Sequence, residues 1–237
     1  MYEGRRILAV VPARGGSKGI PLKNLRTIGG VSLVARAGDV ARAVAAIDRA
    51  VVSTDHQGIA DEAVRAGLAA PFRRPESLSG STIADWDVLH HALLAMEDLD
   101  GVIYDIILML QPTSPSRTPS HVESGIAMLV NGGFDAVWSV SETDSKGHPL
   151  KQLTIGKANA LDYYDPQGAR IIARQQLKPV YHRNGIVYAF TRDCLVEQKS
   201  IKGGRTGALL IEEPVSNIDT ELDLAWAEFL LSRKGNA

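Results

Sequence analysis

The sequence predicts an α/β protein built on a doubly wound, mostly parallel sheet. Short apolar runs with the length of buried strands alternate with amphipathic segments of helical period. Residues 7–11 (ILAVV) and 105–110 (DIILML) have no polar face, as is typical of strands covered on both sides. At 237 residues, the chain is long enough for one domain of this kind with a sizeable core. We therefore predict a single domain over residues 1–237.

Each predicted element follows from local signals. Ser32 and Thr220 are good N-caps for the first and last helices, and two prolines in residues 111–117 end the strand before them. Asp55 is predicted to cap a helix; the alternative is a contact with a sugar nucleotide. In chain order, the predicted strands are residues 7–11, 49–53, 105–110, 135–140, 185–191 and 208–212. The predicted helices are residues 33–47, 56–66, 83–96, 119–131 and 221 to about 233.

Residues 141–183 interrupt the alternation of strands and helices. They are polar, with hairpin-like pieces around residues 150–155 and 163–173. We predict that this segment is an excursion from the sheet and that the sequence returns to the sheet at residue 185.

Composition limits the classes of partner. The chain has 26 basic and 27 acidic residues, so its formal net charge is −1 and no global field favours nucleic acid or an anionic membrane. The only cysteine, Cys194, excludes an internal disulfide. No signal-like segment and no apolar run of about 20 residues is present. The expectation is a cytoplasmic protein that binds neither nucleic acid nor a membrane.

A glycine-rich loop follows the first predicted strand, with the sequence PARGGSKGIPLKN over residues 12–24. Its glycines allow the backbone to turn sharply and expose N–H groups, and its cations carry fixed positive charge. They are Gly15, Gly16 and Gly19, and Arg14, Lys18 and Lys23. Amides and cations at the carboxyl end of a buried strand favour a polyphosphate site. The spacing is that of neither a Walker loop nor a dinucleotide fingerprint.

The complete loop resembles the signature of the acylneuraminate cytidylyltransferases, or CMP-sialic acid synthetases. Further matching segments follow in chain order at residues 53–55, 74–75, 110–115, 174–177, 184–185 and 218–223. The resemblance implies a nucleotide-diphospho-sugar transferase fold and a Mg²⁺-dependent reaction. In that reaction, CTP activates a nine-carbon 2-keto sugar acid to give CMP-sugar and pyrophosphate for cell-surface polysaccharide. It also implies a homodimer in which residues 141–183 form a sugar-binding and dimerisation arm.

The resemblance also implies roles for individual residues. Arg14, Lys23 and Asp219 are expected to be catalytic, with Lys23 near the α-phosphate. Asp85 could accept a hydrogen bond from the cytosine amino group, or it could compensate the dipole at the start of a helix. The expected nucleotide-binding residues are Ala13, Arg14, Gly15, Gly16, Ser17, Lys18, Asn24, Arg74 and Asp85.

Asp219 is the predicted Mg²⁺ ligand, because Mg²⁺ commonly binds one or two carboxylates together with substrate phosphates. The family usually has two aspartates separated by one residue, but this chain has Asn217 at the first position. A neutral oxygen there should weaken metal binding or leave Asp219 as the single charged ligand. The alternative for Asp219 is an aspartate that merely precedes a helix cap.

For the sugar, Gln111 is a candidate partner of hydroxyl or N-acyl groups. Lys151 and Arg174 suit a carboxylate, and the resemblance implies that they act on the sugar in the site of the partner subunit. Asn184 and Tyr188 are expected to line the sugar pocket. The chain departs from its relatives at Ser81 and at residues 182–183 (His-Arg). Sialic, legionaminic and pseudaminic acids all remain open as substrates.

Two other functions remain open at this stage. A hexose-1-phosphate nucleotidyltransferase that uses UTP or dTTP would share the fold, but the short spacing between Gly19 and Lys23 argues against it. A catalytically degenerate sugar-nucleotide-binding protein would explain Asn217 and Ser81, although the intact loop cations argue against that function.

Overall fold

The computed structural model describes residues 1–234, which divide into two compact units. The core unit comprises residues 1–139 and 184–209 and continues from residue 213. The arm unit comprises residues 140–183 and 210–212. The arm unit thus contains the segment that the sequence predicts to leave the sheet.

A six-stranded sheet has the order β10-β6-β9-β5-β1-β4. The strands of the chain are β1 (Ile7–Pro12), β2 (Thr27–Ile28), β3 (Val31–Ser32), β4 (Arg49–Ser53), β5 (Ile106–Met109), β6 (Ala136–Glu142), β7 (Leu153–Ile155), β8 (Leu161–Tyr163), β9 (Tyr181–Thr191) and β10 (Thr206–Leu210). β1 lies parallel to β4 and β5, whereas β9 lies antiparallel to β5. The predicted α/β class is confirmed.

Local signals set the helix ends. The helices are α1 (Leu33–Ala43), α2 (Gln57–Arg65), α3 (Asp85–Asp100), α4 (Pro119–Asn131), α5 (Arg192–Val196) and α6 (Glu221–Lys234). Ser32 Oγ accepts from the Ala35 amide, which confirms the predicted cap. α1 ends four residues before the prediction because Val44 has extended backbone. Within residues 1–234, no helix has the length and apolarity needed to cross a membrane.

Two apolar clusters cover the two faces of β1. Ile7, Ala9 and Val11 pack into one cluster, with residues of α1, α2 and α4. Leu8 and Val10 pack into the other, with residues of α3. Both faces of the central strand are therefore buried, which confirms the doubly wound arrangement and explains the continuous apolar run in the sequence.

A third, smaller apolar cluster is separate from these two. It brings residues that follow the glycine-rich loop together with residues of the last helix and of the segment before it. Its buried members are Ile20, Ile28, Leu33, Ile218, Leu224 and Ala227.

Adjacent leucines on α3 allow a test of the packing. Leu93 has no exposed surface, whereas Leu94 is 42% exposed. We expect Leu93→Ala to lower the free energy of unfolding by about 2–5 kcal/mol, because it leaves a cavity. Leu94→Ala should change it by about 0.5 kcal/mol or less. Urea denaturation of both variants measures the difference, and equal losses would contradict this packing.

The arm unit is largely exposed and contains a short hairpin. β7 and β8 pair antiparallel, with Leu153 opposite Tyr163. The prediction of a second hairpin piece at residues 163–173 is wrong, since Pro166–Arg170 forms a 3₁₀ helix. Asp165 Oδ1 accepts from the Gln167 amide and caps this helix, and Pro166 has a fixed φ suited to its first position. The exposed apolar side chains of the arm unit include Leu153, Ile155, Leu161, Tyr163, Tyr164, Ile172 and Tyr181.

Candidate active site

Two neighbouring cavities in the core unit lie at the carboxyl end of β1. The Asp85 cavity has a volume of about 220 Å³ and is lined by Arg74, Asp85 and Gln111, among others. The Lys23 cavity has a volume of about 400 Å³ and is lined by residues of the glycine-rich loop, Lys23 and Asp219, among others. Pro12, Arg14 and Thr113 line both. The glycine-rich loop therefore lies at the carboxyl end of β1, as the sequence predicts.

Asp55 anchors the glycine-rich loop. Its Oδ1 accepts from the Gly15 amide at 2.8 Å. The prediction that Asp55 caps α2 is wrong: α2 begins at Gln57, and His56, in the cap position, makes no side-chain capping bond. The negative charge of Asp55 instead holds the loop against β4.

The main-chain donors of the loop fall into two groups. The amides of Ala13, Gly15 and Ser17 are already bonded within the chain, to Ser53 O, Asp55 Oδ1 and Gly15 O, respectively. Ala13 is also fully buried. Its burial does not support the predicted contact with nucleotide. Within residues 1–234, the amides of Gly16, Lys18 and Gly19 donate to no acceptor. These three remain able to bind an anion.

Lys23 is held beside Asp219. Its Nζ donates to Ile218 O at 2.6 Å and to Asp219 Oδ1 at 2.8 Å. The Lys23 side chain is 14% exposed, whereas that of Asp219 is 76% exposed. Two predicted catalytic residues, 196 positions apart, therefore lie in one cavity with the ammonium group fixed in direction.

Asp223 fixes the turn that carries Asp219, and the sequence analysis missed this residue. Its Oδ2 accepts from the amides of Asp219 and Thr220 and from the Thr220 hydroxyl, at 2.8–3.0 Å. Although burial would raise the pKa of Asp223, these bonds and the nearby Lys23 charge lower it. Thr220 Oγ1 accepts from the Asp223 amide, which confirms the predicted cap. The T-x-x-D spacing of a capping box was the available signal.

Gly19 packs directly against this turn. A Cβ atom built on Gly19 would lie 2.3 Å from the carbonyl oxygen of Asp219, which is closer than atoms can approach. Asn24 supports the loop from the buried side, since its Nδ2 donates to Arg14 O at 2.9 Å. The close contact at Gly19 thus explains why this position of the loop needs glycine.

The residues around Asp219 fit Mg²⁺. Asn217 and Asp219 are exposed on either side of the buried Ile218. Residues 1–234 contain no group of three or more His, Cys, Asp or Glu side chains that could hold a metal ion. A site with one carboxylate, completed by phosphate oxygens and water, is characteristic of Mg²⁺. One oxygen of Asp219 bonds Lys23, and its other carboxylate oxygen would be the charged metal ligand.

Two arginines shape the Asp85 cavity. Arg14 Nη1 donates to Gly80 O at 2.8 Å. Arg74 is buried, and its Nη2 donates to Ser53 O at 2.9 Å; among the described residues its Nε has no hydrogen-bond partner. Burial lowers the pKa of Arg74, while Asp55 raises it. Asp85 is the first residue of α3, so the dipole role and the base-reading role both agree with its position.

The predicted sugar residues lie in different places. Gln111 lines the Asp85 cavity. Asn184 and Tyr188 are only 3% and 4% exposed, because β9 runs through the interior of the sheet at these positions. Asn184 Oδ1 accepts from the Ile186 amide, and the Tyr188 ring packs edge-on against Trp138. Their burial does not support the predicted contacts with the sugar.

The remaining sugar candidates lie in the arm unit. Lys151 and Arg174 are both exposed. Arg174 lines a cavity of about 500 Å³ within that unit, together with His148 and Lys178. His182, one of the residues that depart from the family pattern, forms a hydrogen bond within the arm unit: its Nδ1 lies 3.0 Å from the Thr143 hydroxyl.

Comparisons with known proteins bear on the family and the fold of the chain. A family model described as "Cytidylyltransferase" matches residues 8–229. CMP-N,N'-diacetyllegionaminic acid synthase of Legionella pneumophila is 34% identical over 94% of both chains. N-acylneuraminate cytidylyltransferase A of Danio rerio is 31% identical over 94% of this chain, which spans 50% of that protein. The structure of CMP:2-keto-3-deoxy-manno-octonic acid synthetase, solved with CTP, superposes with a TM-score of 0.68 at 19% sequence identity. The match covers 97% of this chain and 99% of that chain, which shows a shared fold.

Proposed function

Because the chain belongs to the cytidylyltransferase family, we propose that it transfers CMP from CTP to a nine-carbon 2-keto sugar acid and releases pyrophosphate. The observation that carries the proposal is the Lys23 cavity, where free loop amides, a fixed ammonium and an exposed carboxylate face one space. Relatives named for legionaminic acid and for acylneuraminate both match nearly the whole chain, which supports a sugar of this class.

In the proposed reaction, the anomeric hydroxyl of the sugar attacks the α-phosphorus of CTP and gives its proton to solvent water. A new P–O bond forms, the bond between the α-phosphorus and the bridging oxygen breaks, and pyrophosphate leaves. The free amides of Gly16, Lys18 and Gly19 would bind the outer phosphates, as at other amide-rich anion sites. Arg14 and Lys23 would offset the charge that develops at the α-phosphate.

Asp219 would serve two purposes in this scheme. It orients the Lys23 ammonium, and its exposed carboxylate, with Asn217 as a neutral neighbour, would hold Mg²⁺. When bound, Mg²⁺ supplies positive charge to the phosphate oxygens. The chain itself supplies the geometry, because Asp223 fixes the main chain of Asp219.

The Asp85 cavity is the proposed base site. A carboxylate can accept from the amino group of cytosine, which uracil and thymine lack. Asp85 would therefore select CTP over UTP and dTTP. Gln111 lines the same cavity, so the proposed sugar contact would lie next to the base.

We further propose that the protein acts as a homodimer in the cytoplasm, where CTP is made, and supplies activated sugar for cell-surface polysaccharide. The exposed apolar side chains of the β7–β8 hairpin support an interface on the arm unit. Lys151 and Arg174 would provide positive charge for the sugar carboxylate.

A pyrophosphate-release screen tests the proposal. CTP, UTP, dTTP, ATP and GTP are each supplied with Mg²⁺ and with sialic, legionaminic or pseudaminic acid, and UTP and dTTP also with hexose 1-phosphates. We expect release only with CTP and a sugar acid. Release with a hexose 1-phosphate would favour the alternative transferase, and binding of CTP without release under any condition would favour the binding protein.

Replacing Asp55 tests the anchor of the loop. Asp55→Ala should raise the dissociation constant of CTP about 10-fold or more, since hydrogen bonds to charged groups contribute roughly 1.5–3 kcal/mol. Calorimetric titration with CTP measures the change. Asp61→Ala removes an exposed carboxylate of α2 and should have no effect. Equal affinity of the Asp55 variant and the unaltered protein would contradict the anchoring role.

A further inference from the structure

Arg117 is a buried arginine whose hydrogen bonds within the described part of the chain go to main-chain carbonyls. Its Nη2 donates to Gln111 O at 2.6 Å and to Gly185 O at 3.0 Å, and its Nε donates to Ile186 O. Residues 1–234 place no carboxylate in an ion pair with it. The planar fork of an arginine can reach several carbonyls at once, which a lysine ammonium cannot do in the same geometry.

These carbonyls belong to two segments that meet at the active site. The 111–117 loop has two internal main-chain turn bonds, at 3.2 and 3.3 Å, and its two prolines lack N–H groups. Arg117 joins the first residue of this loop to the interior of β9. Ser114 Oγ adds a second connection, to Asn184 O at 3.2 Å.

The 111–117 loop contributes residues to both cavities. Gln111 lines the Asp85 cavity, and Thr113 lines both. Thr113 O also accepts from the Ile218 amide at 2.9 Å, directly before Asp219. The shape of this loop therefore bears on both the proposed sugar contact and the proposed metal ligand.

A buried guanidinium is costly for a role in stability alone. Burial lowers the pKa of Arg117, and an apolar side chain of similar size would fill the space without the cost of removing a charge from water. An apolar side chain, however, cannot donate hydrogen bonds to three carbonyls of two segments and so cannot fix the relative positions of these segments.

We propose that Arg117 is a positioning residue, which holds Gln111 at the Asp85 cavity and Thr113 in contact with the Asp219 segment. The kinetic consequences of this proposal rest on the proposed function. Its geometric part, that Arg117 fixes the 111–117 loop in the free protein, does not depend on that function.

The test compares Arg117→Lys with Arg36→Lys in the full chain. Arg36 also donates to a main-chain carbonyl, that of Ile28, but lies outside both cavities. We expect Arg117→Lys to raise the KM for the sugar acid about 10-fold and to lower kcat, while the thermal shift caused by CTP is retained. Arg36→Lys should alter neither kinetic constant. Unchanged constants in a folded Arg117→Lys protein would overturn the proposal.

A double-variant cycle separates positioning from general destabilisation. If Arg117 acts through Gln111, the losses from Arg117→Lys and Gln111→Ala should not add, because they remove one function. Strictly additive losses would count against the proposal. Should Arg117→Lys fail to fold, Ser114→Ala removes the neighbouring connection and should shift the same constants less, whereas no shift would oppose the proposal.

Hydrogen exchange provides a readout that needs no activity. The Ile218 amide, which donates to Thr113 O, should exchange about 10-fold faster in Arg117→Lys than in Arg36→Lys. Equal exchange would refute the geometric part even if the enzyme reaction itself is not observed. Failure of the proposed function would instead appear as absence of pyrophosphate release in the unaltered protein.

Discussion

Replacing Lys23 by alanine is expected to lower the rate of CTP-dependent pyrophosphate release about 100- to 1,000-fold, the usual effect of removing one preorganised charge donor. The Lys23 ammonium is held by two acceptors at 2.6 and 2.8 Å before any substrate arrives. Its direction is therefore set in advance, and little reorganisation is needed when charge develops on the phosphate. A steady-state pyrophosphate assay at saturating CTP measures the loss.

Two further variants make this result specific. Lys202→Ala removes an exposed lysine of another loop and should leave the rate unchanged. Arg14→Ala should cause a loss similar to that of Lys23→Ala, because its guanidinium lines both cavities. Circular dichroism should show all three variants folded. Near-normal turnover of both Lys23→Ala and Arg14→Ala would refute their catalytic roles.

Adding a single methyl group at Gly19 is expected to cause the second large effect. The new carbon would have to lie 2.3 Å from Asp219 O, so either the loop or the Asp219 turn must move. Displacements of about 1 Å near reacting atoms cost on the order of 100-fold in rate. We expect Gly19→Ala to lose activity to about that extent while its thermal midpoint changes by a few degrees only.

Gly16 provides the comparison within the same loop. No described atom lies within 4 Å of a Cβ built at Gly16, so Gly16→Ala should lose much less activity than Gly19→Ala. Gly204→Ala, where the nearest atom is an Asp135 carboxylate oxygen at 3.4 Å, tests substitution away from the site. Equal losses at Gly16 and Gly19 would mean that flexibility of the loop, rather than contact with Asp219, explains the need for glycine.

The parts of the fold that are determined by residues close together in the sequence were predictable. The bounds of α4 agree with the prediction because Thr118 and Pro119 give a clear start and Gly132 and Gly133 a clear stop. The buried central strands were also predictable, since an apolar run without a polar face needs cover on both sides. By contrast, α1 ends early where a turn at Val44 leads back to the sheet, and its helical pattern continues past that turn.

Site residues that act over long distances in the sequence were predicted less well. Asp55 lies in a capping position by sequence, yet its partner is Gly15, 40 residues away. Arg117 carries no sequence signal for burial, because two of its three partners are main-chain carbonyls about 70 residues away. Asn184 lies in a segment that matches the family and Tyr188 lies close to it, but a motif does not say which side of a strand faces the interior. Such contacts become visible only when the chain is folded.

The small apolar cluster that contains Ile20, Ile28 and Ile218 has a consequence for biosynthesis. It joins the segment after the glycine-rich loop to α6, and these two segments are separated by almost the whole length of the chain. A nascent polypeptide can complete both large clusters of the sheet before α6 leaves the ribosome, but Asp219 reaches Lys23 only when that helix docks. We therefore expect translation products that stop short of Glu221 to form both large clusters but to lack the contact between Asp219 and Lys23.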